Sequence, residues 1–137
     1  QRSRLAEKLF LAHLFSARRS DVIGQAVTTI LSQKGSLRIS RLAEECCISS
    51  RQLERAFHEY IGITPKKLSS LIRYQCLWNE LLRDPGLSIA DAAYRYGYAD
   101  QPHLLREFKR YHAMDIKQAI LHARHDVGNI QDVLKIL

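Results

Sequence analysis

The sequence lacks any apolar run close to the roughly 20 residues that a membrane-spanning helix requires. Its first ten residues also lack the apolar core and the cleavage site of a secretory signal peptide. We therefore expect a cytoplasmic protein with no membrane partner. Because the chain begins with Gln1 and not with Met, we also expect it to be a fragment that lacks an upstream domain.

Cysteine is scarce, with 3 residues at Cys46, Cys47 and Cys76. An odd number of thiols cannot pair fully, and adjacent cysteines rarely form a disulfide with each other. We therefore expect reduced, mostly buried thiols. The alternative is that the adjacent pair senses oxidation or binds a soft metal.

Metal-binding patterns are also lacking. His122 and His125 lie one helical turn apart and His112 is nearby, but no Cys-x-x-Cys spacing or fourth ligand accompanies them. The pattern favours solvated histidines on a helix. We expect no metal and no cofactor.

Catalytic motifs are missing as well. The sequence contains no Ser-His-Asp arrangement, phosphate-binding loop or paired carboxylates, and Cys76 lies in an apolar helical stretch without an activating base. These absences argue against an enzyme.

Strand signals are nearly absent, since no Asn-Gly or Asp-Gly turn joins alternating apolar runs and Val and Ile recur at helical spacing. The pattern predicts an all-α fold of about seven helices plus an N-terminal helix near 3–15. Side-chain caps mark the expected helix starts. The predicted caps are Asp21, Ser40, Ser49 or Ser50, Thr64 followed by Pro65, Ser88 and Asp100.

What the sequence does contain is an excess of positive charge. Lys and Arg outnumber Asp and Glu by 21 to 14, which gives a net charge of +7. This balance favours a polyanionic partner such as nucleic acid.

A helical phrase, Leu-x-Arg-x-Phe-x-x-Tyr, occurs at 53–60 and again at 104–111. In each half of the chain a short helix and a tight turn precede it, which is the order of a helix-turn-helix motif. The Leu, Phe and Tyr of each copy are expected in the core. The alternative is an ordinary amphipathic helix of a bundle.

The two motifs should differ in their turns. Ala43 in the first motif, and Ala92 and Ala93 in the second, supply the small residues that allow two helices to cross. Cys47 stands where Gly would fit the turn best, while Gly97 occupies the second turn. Because the second motif is one residue longer overall, its turn is expected to contain one extra residue.

Polar side chains are left on the outer face of each second helix and suit a major groove. Arg can pair with guanine, Gln with adenine and Glu with cytosine, while Lys and other Arg contact phosphates. Arg55 and Arg106 have an alternative, which is an ion pair with Glu59 or Glu107. The candidate DNA-binding residues are Ser50, Arg51, Glu54, Arg55, Gln101, Pro102, His103, Leu105, Arg106, Lys109 and Arg110.

A long helix from about Thr64 to Arg83 is predicted between the motifs. Its length of about 30 Å is comparable with the ~34 Å between successive major grooves on one face of DNA. One chain could therefore fill two adjacent grooves. The two second helices differ in sequence, so the double-stranded site should be asymmetric.

Residues 22–121 resemble the C-terminal DNA-binding domain of AraC/XylS-type bacterial transcription regulators. The resemblance is carried by "LAEECCISSRQLERAFHEYIGITPKKL", "RYQCLWNELL" and "IADAAYRYGYADQPHLLREFKRY". It implies two helix-turn-helix subdomains joined by a linker helix, and regulation through contacts with DNA and RNA polymerase. It also implies an upstream sensor or dimerisation domain in the same polypeptide.

The resemblance also assigns positions. The groove-facing residues it implies are Arg51, Glu54 and Arg55 in the first motif, and Gln101, Pro102, Leu105 and Arg106 in the second. Pro102 and Leu105 replace commonly polar positions, which leaves phosphate anchoring or contact with a thymine methyl open. The stretch "AMDIKQAI" replaces the family's usual Gly-x-Ser/Thr-Pro, so the last helix is expected to start differently.

The predicted organisation has five parts. The parts are a connection at 1–20, a first helix-turn-helix subdomain at 21–62, a linker helix at 63–84, a second subdomain at 85–123 and a tail at 124–137.

The function that the sequence predicts is sequence-specific binding to double-stranded DNA. The alternative function is a helical protein-interaction module without specific DNA binding.

Overall fold

The computed structural model describes residues 20–125, which contain seven helices and no strand. The all-α prediction is confirmed. The helix predicted near 3–15 and the apolar end of the tail lie outside the described residues. The helices are α1 (20–32), α2 (Ile39–Glu45), α3 (Ser50–Tyr60), α4 (Pro65–Arg83), α5 (Ile89–Arg95), α6 (Gln101–His112) and α7 (116–125).

The chain divides into two compact units between Ile72 and Arg73. We call them unit 1, which ends at Ile72, and unit 2, which begins at Arg73. The division falls inside α4 and not at either end of it. Each unit therefore contains one helix-turn-helix motif and part of the long helix.

Unit 1 has its own apolar core. The core residues come from α1, α2 and α3 at helical spacing, so one face of each helix is buried. Partly buried Leu68 and Ile72 from the first half of α4 pack against it. The buried members are Ala26, Ile30, Leu42, Ala43, Cys46, Leu53 and Phe57.

Unit 2 repeats this arrangement with α5 and α6 and adds α7. Tyr74 and Trp78 from α4 lie beside Phe108, with ring centroids 5.8 Å and 5.5 Å from it. The start of α7 belongs to the same core. The buried members are Leu77, Leu81, Ala92, Ala93, Tyr96, Tyr98, Leu104, Phe108, Ile116 and Ala119.

The two turns share one backbone geometry. Cys47 and Gly97 both adopt left-handed backbone, with φ of 55° and 69°. In each turn the next residue donates its N–H to the carbonyl of the crossing alanine, from Ile48 to Ala43 at 3.1 Å and from Tyr98 to Ala93 at 2.9 Å. The first turn spans 46–49 and the second 96–100, so the predicted extra residue is confirmed.

Replacing Cys47 by Gly should stabilise unit 1. A residue with a Cβ costs roughly 1–2 kcal/mol in left-handed backbone, and the added freedom of Gly in the unfolded chain offsets part of this. We expect a net gain of about 0.5–1 kcal/mol in the free energy of unfolding, measured by urea titration. Cys47→Ala is the control, because it removes the thiol but keeps the Cβ; a similar gain from Cys47→Ala would contradict the backbone explanation.

Most predicted caps are confirmed. Ser49 and Gln52 form a reciprocal capping box at α3, and the Thr64 hydroxyl accepts from Lys67 N–H at 3.1 Å. Ser88 and Asp100 cap α5 and α6.

Two predicted caps are wrong. The helix predicted to start at Ser40 begins at Ile39, and its N-cap Arg38 offers no side-chain acceptor. Residue 20 is already helical, so Asp21 lies within α1. In both places a polar side chain near a helix start suggested a cap, but the backbone enters the helix earlier.

The burial of some repeated and sulfur-containing residues was predicted wrongly. Tyr60 is 41% exposed. It is the last residue of α3, whose buried residues end at Phe57. Tyr111 is half-buried, with its ring centroid 4.6 Å from that of Tyr74. Of the thiols, Cys46 is buried, Cys76 is half-buried and Cys47, which lies in the turn after α2, is exposed.

His122 and His125 are exposed, as predicted, but His112 is half-buried. Its ring stacks on Phe108 with centroids 4.4 Å apart, and the Tyr74 hydroxyl hydrogen-bonds to Nδ1. Burial among these rings lowers the pKa of the His112 imidazole. The folded state therefore favours the neutral form of His112.

Acidification should destabilise unit 2 through His112. Its folded pKa lies below its ordinary value of about 6.5, so below that pH the unfolded chain binds a proton that the folded chain does not. The contribution of His112 to the free energy of unfolding is therefore fully present above about pH 6.5 and falls as the pH is lowered. Thermal melting between pH 7 and pH 5 should show a smaller change in His112→Gln than in the parent or in His58→Gln; equal changes in all three proteins would rule His112 out.

Candidate nucleic-acid interface

Helix α3 separates a buried face from a polar face. Leu53, Ala56 and Phe57 are buried at positions three or four residues apart, which fixes the rotation of the helix about its axis. The capping box at Ser49 sets its starting point. The exposed residues of the opposite face are Ser50, Arg51, Glu54, Arg55 and His58.

The arginines of this face are available for a ligand. Among the residues that the structure describes, neither Arg51 nor Arg55 forms an ion pair, so the alternative pairing of Arg55 with Glu59 is not observed. Both lie within the first two turns of α3. This end of the helix therefore presents two guanidinium groups that form no ion pair with any other described residue.

Helix α6 is built in the same way from different residues. The Asp100 carboxylate accepts from His103 N–H at 2.7 Å, and Pro102 stands in the first turn, where the helix needs no N–H donor. Leu104 and Phe108 are buried. The exposed residues are Gln101, Pro102, Arg106, Lys109 and Arg110.

Two candidates on α6 are turned partly toward their own unit. Leu105 packs against the core of unit 2. His103 accepts from Ala99 N–H through Nδ1 at 3.4 Å, lies edge-on to Tyr98, and has Nε2 3.9 Å from a Glu107 carboxylate oxygen. These contacts hold the His103 ring partly against its own unit, so its side chain is less available than those of its exposed neighbours.

Glu107 lies at the centre of a polar cluster that sequence reasoning missed. Its carboxylate receives Arg73 Nη2 at 3.0 and 3.3 Å, and it accepts from the Tyr98 hydroxyl at 3.1 Å. The Arg73 guanidinium also lies 4.3 Å from the centroid of the Tyr98 ring. Arg106 is therefore left without Glu107 as a partner, and the predicted alternative ion pair between them is not observed.

Burial raises the pKa of the Tyr98 hydroxyl, and the Glu107 carboxylate adds to the effect. Tyr98 therefore stays protonated and remains a donor. No local signal in the sequence announces this cluster, because Arg73 and Glu107 are 34 positions apart.

Within 20–125 no three His, Cys, Asp or Glu side chains are grouped closely enough to hold a metal. No helix in that range is both long and apolar enough to cross a bilayer.

Two short-helix, turn and second-helix units with exposed cations on the second helices define a helix-turn-helix protein of the DNA-binding class. A family model described as a helix-turn-helix domain matches residues 42–120. The chain belongs to this AraC-type helix-turn-helix family.

Curated relatives agree with this placement. The chain is 32% identical over 80 residues to the HTH-type transcriptional activator RhaS of Escherichia coli O139:H28 (strain E24377A / ETEC). The alignment covers 56% of this chain and 28% of RhaS, so the chain spans less than a third of that relative.

Solved structures show the same fold. The C-terminal domain of AraT, a response regulator from Geobacillus stearothermophilus, is 25% identical with a TM-score of 0.65, covering 71% of this chain and 81% of that domain. A transcriptional regulator from Chromobacterium violaceum, described as containing an AraC-type DNA-binding domain, is 23% identical with a TM-score of 0.64 and coverages of 72% and 88%. The second likeness concerns the fold alone.

Proposed function

We propose that this chain is the sequence-specific, double-stranded DNA-binding part of a transcription regulator. The observation that carries the proposal is the presence of two capped helices, α3 and α6, that each bury one face and expose on the other arginines that form no ion pair within residues 20–125. The net charge of +7 supports a polyanionic partner. Family membership supports the same function.

The exposed residues take different roles in this proposal. Arg51, Arg55 and Arg106 donate paired hydrogen bonds to guanine, while Glu54 accepts from cytosine and Gln101 pairs with adenine. The other polar or cationic contacts, from Ser50, Lys109 and Arg110, hold phosphates.

The remaining candidates are supported by different features. Pro102 is exposed at the first turn of α6 and offers an apolar contact to a thymine methyl. Leu105 and His103 pack partly within unit 2 and contribute through their remaining exposed surface.

Because α3 and α6 differ in sequence, the proposed site is asymmetric and each unit contacts its own major-groove segment. The proposal also includes RNA polymerase and an upstream sensor or dimerisation domain as partners, a location in the cytoplasm and no catalytic activity. These parts rest on membership of the family and not on any contact in the described residues.

Selection of binders from a pool of random duplexes tests the proposal directly. We expect an asymmetric motif to be enriched, and the affinity for it to fall linearly with salt concentration on logarithmic axes. Electrophoretic shift of the selected duplex against a scrambled duplex of equal composition measures specificity. If no motif is enriched and the two duplexes bind equally, the proposal fails, and a helical protein-interaction module becomes the better description.

A further inference from the structure

Glu107 is the only acidic residue of α6, in a helix that otherwise exposes Arg106, Lys109 and Arg110. A carboxylate on a helix that approaches DNA repels the phosphates, so its presence needs a physical reason. The structure supplies one, since its side chain is only 11% exposed and lies against Arg73, which is 19% exposed.

Arg73 contacts Glu107 in a way that fixes direction as well as charge. A single nitrogen, Nη2, bridges both carboxylate oxygens, and the guanidinium carbon lies over the Tyr98 ring, 4.3 Å from its centroid. Tyr98 in turn donates to the same carboxylate. Three groups from α4, the turn before α6 and α6 itself therefore hold one another.

His103 extends this cluster toward the N-terminal end of α6. Its Nε2 faces Glu107, and its Nδ1 accepts from Ala99 in the turn. Because Nδ1 is the acceptor in the contact with Ala99, the ring hydrogen lies on Nε2, on the side of Glu107. The cluster thus links the first two turns of α6 to the preceding turn and to α4.

We infer that Arg73 and Glu107, with Tyr98 and His103, are positioning residues that set how α6 presents its cations to DNA. This inference rests on the proposed DNA binding. Arg73 has two roles in it: it holds the rotation of α6, and it neutralises the only carboxylate within α6, which would otherwise repel the DNA phosphates.

A double-mutant cycle on the full chain tests the inference, with the selected duplex as ligand. Arg73→Gln leaves the buried carboxylate without its partner, so we expect affinity to fall roughly tenfold. Glu107→Gln keeps the shape and removes the charge, so we expect a smaller loss. The double variant should bind more tightly than Arg73→Gln alone, and Arg73→Lys should recover part of the loss.

Salt separates this role from a purely structural one. Salt screens the repulsion between an uncompensated carboxylate and the DNA phosphates. The difference in affinity for the selected duplex between Arg73→Gln and the double variant should therefore narrow as the salt concentration rises. Thermal melting of every variant ensures that titrations are made where all of them are folded, and Arg124→Ala controls for the loss of a positive charge.

Several results would overturn the inference. Additive losses in the cycle, or a gap that does not change with salt, would reduce the cluster to ordinary packing. Failure of the parent chain to select any duplex would instead overturn the proposed function.

Discussion

Replacing Arg51 and Arg106 together by Ala should abolish specific DNA binding while leaving the fold intact. Both side chains are exposed and neither forms an ion pair within the described residues, so the folded protein loses little. Each lost base contact costs about 1–3 kcal/mol of binding free energy. The two residues lie in different units and share no ion-pair partner among the described residues, so the losses should add to about 2–6 kcal/mol.

The two single variants locate the effect. Arg51→Ala should relax specificity only in the base pairs contacted by α3, and Arg106→Ala only in those contacted by α6. Titrations of the selected duplex and of single base-pair substitutions measure this separation. Arg124→Ala removes an equal charge from the exposed surface of α7 and should change affinity much less.

Two outcomes would count against the assignment. Binding by the double variant as tight as that of the parent would show that neither arginine contacts DNA. A uniform loss over all base-pair substitutions, accompanied by a smaller salt slope, would instead place these arginines on phosphates.

Local signals explain why most of the fold could be predicted. Ser49 and Gln52, three residues apart, form reciprocal side-chain to backbone hydrogen bonds at the start of α3. The Asp100 carboxylate accepts from the N–H of His103, three residues later, at the start of α6. Both helix starts therefore depend on short sequence segments. Both turns could also be predicted, because Cys47 and Gly97 occupy equivalent positions of the two motifs, and both adopt positive φ. These features depend on neighbours in sequence.

Features that depend on distant neighbours could not be predicted. Tyr60 and Tyr111 occupy the same place in the repeated phrase, yet Tyr60 is exposed and Tyr111 is half-buried. The ring of Tyr111 packs against Tyr74 of unit 2, which is 37 positions away in the sequence. His112 was predicted to be a solvated histidine, but the rings of Phe108 and Trp78 pack against it.

The candidate site shows the same limit. Helical periodicity identified the exposed faces of α3 and α6, because the buried residues of each helix determine which side remains outside. It could not show that His103 turns toward Glu107, or that Arg73 neutralises that carboxylate. These assignments need the packing of α4 against α6.

Replacing Phe108 by Ala should cause the largest loss of stability in unit 2. Its ring is 1% exposed and contacts Tyr74, Trp78 and His112. Removing a buried Phe typically costs about 3–5 kcal/mol, a large share of the 5–15 kcal/mol that holds a typical domain together. Unit 2 should therefore unfold at much lower urea concentration.

Trp78 is the only tryptophan of the chain, and its ring centroid lies 5.5 Å from that of Phe108. Its fluorescence therefore reports unfolding in unit 2 during the urea titration. Leu121→Ala is the matched surface control, because Leu121 is 68% exposed and its loss should change stability by no more than about 0.5 kcal/mol. Similar midpoints for Phe108→Ala and Leu121→Ala would contradict the described core.

The same substitution should also change the response to acid. Phe108 covers one face of the His112 ring, and burial is the cause of the lowered His112 pKa. Without that ring, water reaches the imidazole and its pKa returns toward the ordinary value. Phe108→Ala should therefore be less stable at every pH, while losing less additional stability than the parent between pH 7 and pH 5.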